Sequence, residues 1–199
     1  MGAIMGLFSK LFKKNTSVEV TPETFTTSNP ECLKLFELKK YMDILLSQNQ
    51  YIPKSKYRSK LLEDKKTIEY FAVLDNSGML KSFCESNKID ISAVETTLNC
   101  YRNFEAKVDA HNEEYIQRAM KSEKTYLDNI LHDVDPKIKL DDDQRRVILT
   151  DEDYCLVIAG AGAGKTTTVA AKVKYLVEKK NIDPSQILVV SFTNKAVQE

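Results

Sequence analysis

Nine consecutive residues, Ala159-Gly160-Ala161-Gly162-Ala163-Gly164-Lys165-Thr166-Thr167, have the composition and spacing of a loop that grips phosphate. Small side chains let successive backbone N–H groups turn toward one anion, and a helix opening at the end of the loop adds the positive end of its dipole. Lys165 then supplies a compact charge for the β and γ phosphates. Thr166 offers a hydroxyl to Mg2+, a cation that keeps most of its waters and takes few protein ligands. The residues so implicated are Ala159, Gly160, Ala161, Gly162, Ala163, Gly164 and Thr167 as nucleotide contacts, with Lys165 and Thr166 as contacts that also serve catalysis. The general pattern has Gly where Ala159 stands. A bare Gly/Ala-rich turn carrying a chance lysine is the competing reading, and the order of elements around the loop argues against it.

Those elements come next, because a phosphate loop has to join a strand to a helix. Tyr154 to Ile158 is a short apolar run without alternation, as expected of a strand buried on both faces, and Ile187 to Val190 repeats the type. Between them Val169, Val173, Leu176 and Val177 fall on one helical face, and Asn181 followed by Pro184 marks the exit. The pattern predicts a right-handed βαβ unit with parallel strands, hence an α/β fold: an incomplete P-loop NTPase domain over 136–199.

Upstream the chain reads as mainly α-helical over 31–135, behind an N-terminal segment and linker at 1–30. Leu35, Leu38, Met42 and Leu45 recur at helical spacing. A second helix is expected from Pro53 to about Leu74, and a short helical piece follows Gly78 and ends near Asn87. Ser92 and Glu95 have the form of a capping box, and no Gly or Pro interrupts the chain from there to Pro136. One long helix is therefore expected, with Val94, Leu98, Tyr101, Val108, Tyr115, Ala119 and Tyr126 along a stripe. Glu105, Asn112 and Ser122 interrupt that stripe, which favours a helix packed on its neighbours over a coiled-coil dimer.

Two further blocks flank the loop. Leu140-Asp141-Asp142-Asp143-Gln144-Arg145-Arg146-Val147 precedes the first apolar run, and Ser191-Phe192-Thr193-Asn194-Lys195-Ala196 follows the second. With Ala159 at the head of the loop, these blocks resemble UvrD/Rep-type superfamily 1 DNA helicases, most like the DNA helicase IV branch. His111-Asn112-Glu113-Glu114-Tyr115 is also similar to that branch's segment ahead of the helicase domain. The resemblance implies a RecA-like fold, ATP and Mg2+ as cofactors, and movement on single-stranded DNA in the 3′ to 5′ sense. It implies that Gln144 pairs with the adenine edge, an amide having both donor and acceptor. It also implies that Phe192, Thr193, Asn194 and Lys195 contact single-stranded DNA, Phe192 by stacking on a base. A core position remains the other reading of Phe192. The resemblance covers only the start of such an enzyme, so this 199-residue chain is not expected to unwind DNA alone.

Composition sets the remaining bounds. Lys plus Arg and Asp plus Glu both number 29, so no net positive field advertises a nucleic-acid partner, and such a partner has to be argued from a site. Cys32, Cys84, Cys100 and Cys155 are scattered, with no pair at zinc-ligand spacing and two histidines to join them, which fits a reducing, cytoplasmic setting. No run approaches the roughly 20 apolar residues of a membrane span. Ile4, Met5, Leu7, Phe8, Leu11 and Phe12 with Lys10, Lys13 and Lys14 resemble a short interfacial helix, read here as a loosely docked start without stable membrane association. Val147-Ile148-Leu149-Thr150-Asp151-Glu152 imitates a Walker B strand, but it precedes the loop and continues the Gln144 helix. The competing class is a binding module, in which the helical region docks a protein partner and the loop is a remnant.

Overall fold

A computed structural model describes residues 28–190. The 1–14 segment, most of the 15–30 linker, and Phe192, Thr193, Asn194 and Lys195 lie outside the described residues. Nine α-helices occur among the described ones: α1 (Pro30–Leu46), α2 (Arg58–Glu63), α3 (Lys65–Asn76), α4 (Leu80–Asn87), α5 (Ile91–Arg102), α6 (Phe104–Ser122), α7 (Lys124–Asn129), α8 (Asp142–Leu149) and α9 (Lys165–Glu178). Single 3-10 turns stand at Lys54–Lys56 and Pro184–Gln186.

The first helix follows the sequence pattern. Asn29 caps it by accepting from Glu31 N–H at 3.0 Å, and its periodic residues Leu35, Leu38 and Met42 are fully buried. The region after Pro53 divides into a 3-10 turn, α2 and α3, with the break between the two helices at Asp64. The single long helix expected after Ser92 is three helices. Its N-cap is Asp90 rather than Ser92: the Asp90 carboxylate accepts from Ser92 N–H at 2.9 Å and from the Ser92 hydroxyl at 2.6 Å. The chain breaks at Asn103, whose side-chain amide donates back to the Asn99 carbonyl at 2.9 Å and so competes with the helical ladder. It breaks again at Glu123.

Two apolar cores form among the described residues. The larger gathers α1 with Phe71 of α3, Leu80 and Cys84 of α4, Val94 and Leu98 of α5, and Phe104 and Val108 of α6. The smaller joins Leu127, Ile130, Leu131 and Leu140 to Ile148 and Leu149 of α8 and Ala171 and Tyr175 of α9. Helix α6 reaches both, since Ala119 and Met120 near its far end pack on the smaller core. At 1.5 Å per residue it is a strut roughly 28 Å long. Its middle carries Asn112, whose buried side chain accepts from Ile52 N–H at 2.8 Å and donates to Ile52 C=O at 3.0 Å. That pairing satisfies both main-chain groups of a residue 1% exposed.

The α/β expectation is corrected. No strand exists among the described residues, so Tyr154–Ile158 and Ile187–Val190 do not pair into a βαβ unit and no RecA-like sheet forms. A strand requires a hydrogen-bonded neighbour and cover for its apolar faces, and neither run has them: Leu156 is 87% exposed, Ile158 89%, Leu188 87% and Val190 81%. Helix α9 packs accordingly. It turns Thr168, Ala171 and Tyr175 onto α8, while Val169 of the expected inward face is 47% exposed. Its exit is as expected, with Asn181 in the left-handed region at φ 54°. Among the described residues no helix is long and apolar enough to cross a membrane.

Asn112→Ala removes both partners of the buried Ile52 main chain. It should destabilise the chain by about 2–3 kcal/mol, read as a lower urea midpoint at unchanged slope.

Candidate nucleotide-binding site

Two glycines shape the loop. Gly162 and Gly164 adopt φ of 75° and 70°, a left-handed conformation that costs an L-residue about 1–2 kcal/mol. Gly164 is also the residue that hands the loop to α9. It stands at the helix N-cap with no side-chain cap bond, and no acidic residue occupies the first turn. The first amides of α9 and the positive end of its dipole thus have no carboxylate or hydroxyl partner among the described residues, which is the arrangement that favours an anion. The first turn is tied instead from its carbonyl side: Thr168 N–H and Thr168 Oγ1 both donate to Gly164 C=O, at 2.8 and 2.9 Å.

Lys165 folds back over this loop. Its Nζ donates to Gly160 C=O at 2.6 Å and to Ala159 C=O at 3.2 Å, which brings the ammonium onto the head of the loop. Thr166 is exposed beside it and Thr167 is half-buried. Ala161 and Ala163 add no bulk, and a Cβ built on Gly160 or Gly162 meets nothing within 4 Å.

Gln144 sits behind the loop and is half-buried. Its amide is engaged at both ends: Oε1 accepts from Asp141 N–H at 3.0 Å, and Nε2 donates to Ala163 C=O at 3.3 Å. Asp141 returns the first bond by accepting from Gln144 N–H at 2.8 Å, so the two residues form a reciprocal capping box at the start of α8. The amide retains a second N–H and a second lone pair. The Asp141-x-x-Gln144 spacing is itself the signal of such a box, and the sequence reading passed it over for a nucleotide role alone.

Sequence reasoning also missed Lys172, about two turns into α9. Its Nζ donates to the carbonyls of Ile148 at 2.7 Å and Thr150 at 2.6 Å, closing the C-terminal end of α8. Burial pushes this ammonium below the usual lysine range. Arg145 donates to Asp128 at 2.7 Å and to Leu140 C=O at 3.0 Å, and Arg146 holds Glu113 of α6 through two bonds of 3.0 and 2.5 Å. The Arg146 guanidinium holds the Glu113 carboxyl far below its ordinary 4.5, at about 2, so the pair is ionised throughout the neutral range. The structure therefore brings Gln144 together with Ala163, Gly164 and the Lys165 loop. Ile148 and Leu149 are helical, which disposes of the Walker B imitation.

A paired substitution contrasts a glycine that is both left-handed and crowded with one that is neither. Gly164→Ala places a Cβ 2.5 Å from Gln144 Nε2 in a left-handed backbone and should lower stability by about 1–2 kcal/mol. Gly160→Ala should stay within about 0.5 kcal/mol of the parent in the same denaturation experiment.

Comparison with known proteins gives a consistent result for this part of the chain. Residues 140–199 match the UvrD/REP helicase N-terminal domain family. A probable DNA helicase II homolog of Mycoplasma capricolum is 52% identical over 60 residues, which is 30% of this chain and 8% of the relative. The ATP-dependent DNA helicase UvrD1 of Mycobacterium leprae is 37% identical over 73 residues, 37% of this chain and 9% of the relative. The putative ATP-dependent DNA helicase YjcD of Bacillus subtilis is 41% identical over 64 residues, 32% of this chain and 8% of the relative. The matched stretch thus spans less than a tenth of each of these relatives. No solved structure matches. The likeness supports the UvrD/REP group as a whole and not the finer helicase IV branch. Over residues 140–199 the chain is similar to the N-terminal portion of UvrD/REP-type helicases.

Proposed function

We propose that this chain contributes the nucleotide-gripping part of an ATP-dependent DNA helicase. The observation that carries the proposal is the uncapped start of α9 behind two left-handed glycines, with Lys165 folded over the loop head. In this reading the amides of residues 160–167 hold the triphosphate, and Lys165 leaves the Gly160 and Ala159 carbonyls to meet the β and γ phosphates. Gln144 uses its remaining donor and acceptor on the adenine edge without giving up the capping box. The exposed Thr166 hydroxyl fits a hard cation that needs few protein ligands, so Mg2+ bound there would neutralise phosphate charge during transfer.

The division of labour follows the sequence reading, with a helical region at 31–135 and the helicase portion at 136–199. In the whole protein, nucleotide-driven domain closure would move contacts along single-stranded DNA, in the 3′ to 5′ sense and in the cytoplasm. Phe192, Thr193, Asn194 and Lys195 would supply strand contacts. In this reading residues 140–190 grip the nucleotide, and unwinding belongs to the whole protein. A protein partner for the helical region is the second reading, favoured by Leu62, Val73 and Met79, which lie 71%, 63% and 51% exposed.

Lys165→Ala in the whole protein should abolish DNA-stimulated ATP hydrolysis, a loss of at least about 100-fold, while leaving the unfolding midpoint of the chain nearly unchanged. Retained turnover would remove the assignment.

A further inference from the structure

The His111–Tyr115 motif and the turn after Pro53 take no part in gripping a nucleotide, yet both hold the stretch that leads from Gln144 toward the phosphate loop. From α6, His111 Nε2 bonds the Gln50 carbonyl at 2.9 Å, Asn112 pairs with Ile52, Tyr115 stacks edge-on against Tyr51, and Arg118 donates to Asn49 at 3.0 Å. The segment fixed in this way leads directly into the 3-10 turn Lys54–Lys56. Its first amides have no cap from Pro53, and they are capped by carboxylates about 100 residues away in sequence. Lys54 N–H donates to Glu152 Oε1 at 3.0 Å, and Ser55 gives its N–H and its hydroxyl to the two oxygens of Asp153 at 2.8 and 2.7 Å. One residue along α6 from Asn112, Glu113 holds Arg146, two positions past Gln144.

The stretch from Gln144 to Asp153, which joins the candidate adenine contact to the run leading into the phosphate loop, is therefore gripped at two points by the helical region. We propose that Glu113 and Ser55 are positioning residues for nucleotide recognition: they set α8, and through it the Gln144 amide, against Ala163 of the loop. The helical region is on this account the frame of the base-reading end of the site, rather than a separate module tethered to it. The inference rests on the nucleotide reading above. Both contacts lie at the surface, where a bidentate pair contributes modestly, so the expected effects are several-fold rather than absolute.

The test uses the 199-residue chain, with ATP, GTP and inorganic tripolyphosphate as competing probes against a fluorescent ATP analogue in the presence of Mg2+. The parent chain should prefer ATP to GTP. Glu113→Gln combined with Ser55→Ala should reduce that preference about three- to fivefold by weakening ATP alone, leaving tripolyphosphate affinity unchanged. The Gln144 side-chain amide resonances should also move in the double variant without nucleotide. Exchanging the charges, Glu113→Arg with Arg146→Glu, should restore part of the preference lost in Glu113→Gln. An unchanged ATP-to-GTP ratio together with unmoved Gln144 resonances in a folded double variant overturns the positioning role while sparing the nucleotide reading. A parent chain that binds none of the probes overturns that reading and this inference with it.

Discussion

A helix that begins without a cap carries unpaired amides and a partial positive charge at one end, and the structure has to hold that end in place without covering it. Helix α9 is in this position. Among the described residues it is restrained from behind or below: Thr168 bonds back to Gly164, Ala171 and Tyr175 are buried with α8 residues in the smaller core, Lys172 ties the helix to the last carbonyls of α8, and Lys174 and Glu178 bond Asp133 and Tyr126. An aspartate or serine at the cap would pair one of these amides, but it would strain a left-handed backbone, place a Cβ 2.5 Å from Gln144 Nε2 and remove the anion-seeking surface. The glycine at position 164 keeps that surface open.

The same economy explains Gln144 and α6. A glutamine used only to read a base would be a half-buried amide awaiting a partner, whereas here it closes the cap of α8 and touches the loop, so its place is set before any ligand arrives. Pre-setting is worth little if α8 itself can drift. Helix α6 counters this by spanning both cores, and its ion pair to Arg146 lies on the same helix that buries Asn112. The burial makes the register of α6 specific, because a shift of one residue would leave the Ile52 main chain without partners.

Local chemistry was legible in the sequence and long-range pairing was not. Small residues at 160–164 announced the loop because glycine adopts its left-handed turns at least cost, and Asn181 announced the end of α9 because asparagine also tolerates that conformation. Helix α1 was readable from spacing alone. The breaks at Asn103 and Glu123 were hidden, since neither is Gly or Pro and the Asn103 break depends on a side chain turning back on its own backbone. Asp90 outcompeted Ser92 as a cap because its two oxygens serve both the amide and the hydroxyl of Ser92. The two apolar runs at 154–158 and 187–190 show the opposite failure. Their composition signals a need for burial, but composition does not supply the neighbouring strand, and without it α9 settled on α8 by a different face. Glu113 with Arg146 and Ser55 with Asp153 join positions far apart in sequence, where no spacing rule reaches.

The most direct measurement of the central claim is an amide NMR titration of the chain with ATP and Mg2+, which detects even weak binding residue by residue. The account predicts that the backbone N–H resonances of residues 160–167 and the Gln144 side chain move together and saturate with one affinity. Resonances of the loop that stay fixed at millimolar ATP, or shifts confined to residues outside it, would contradict the account.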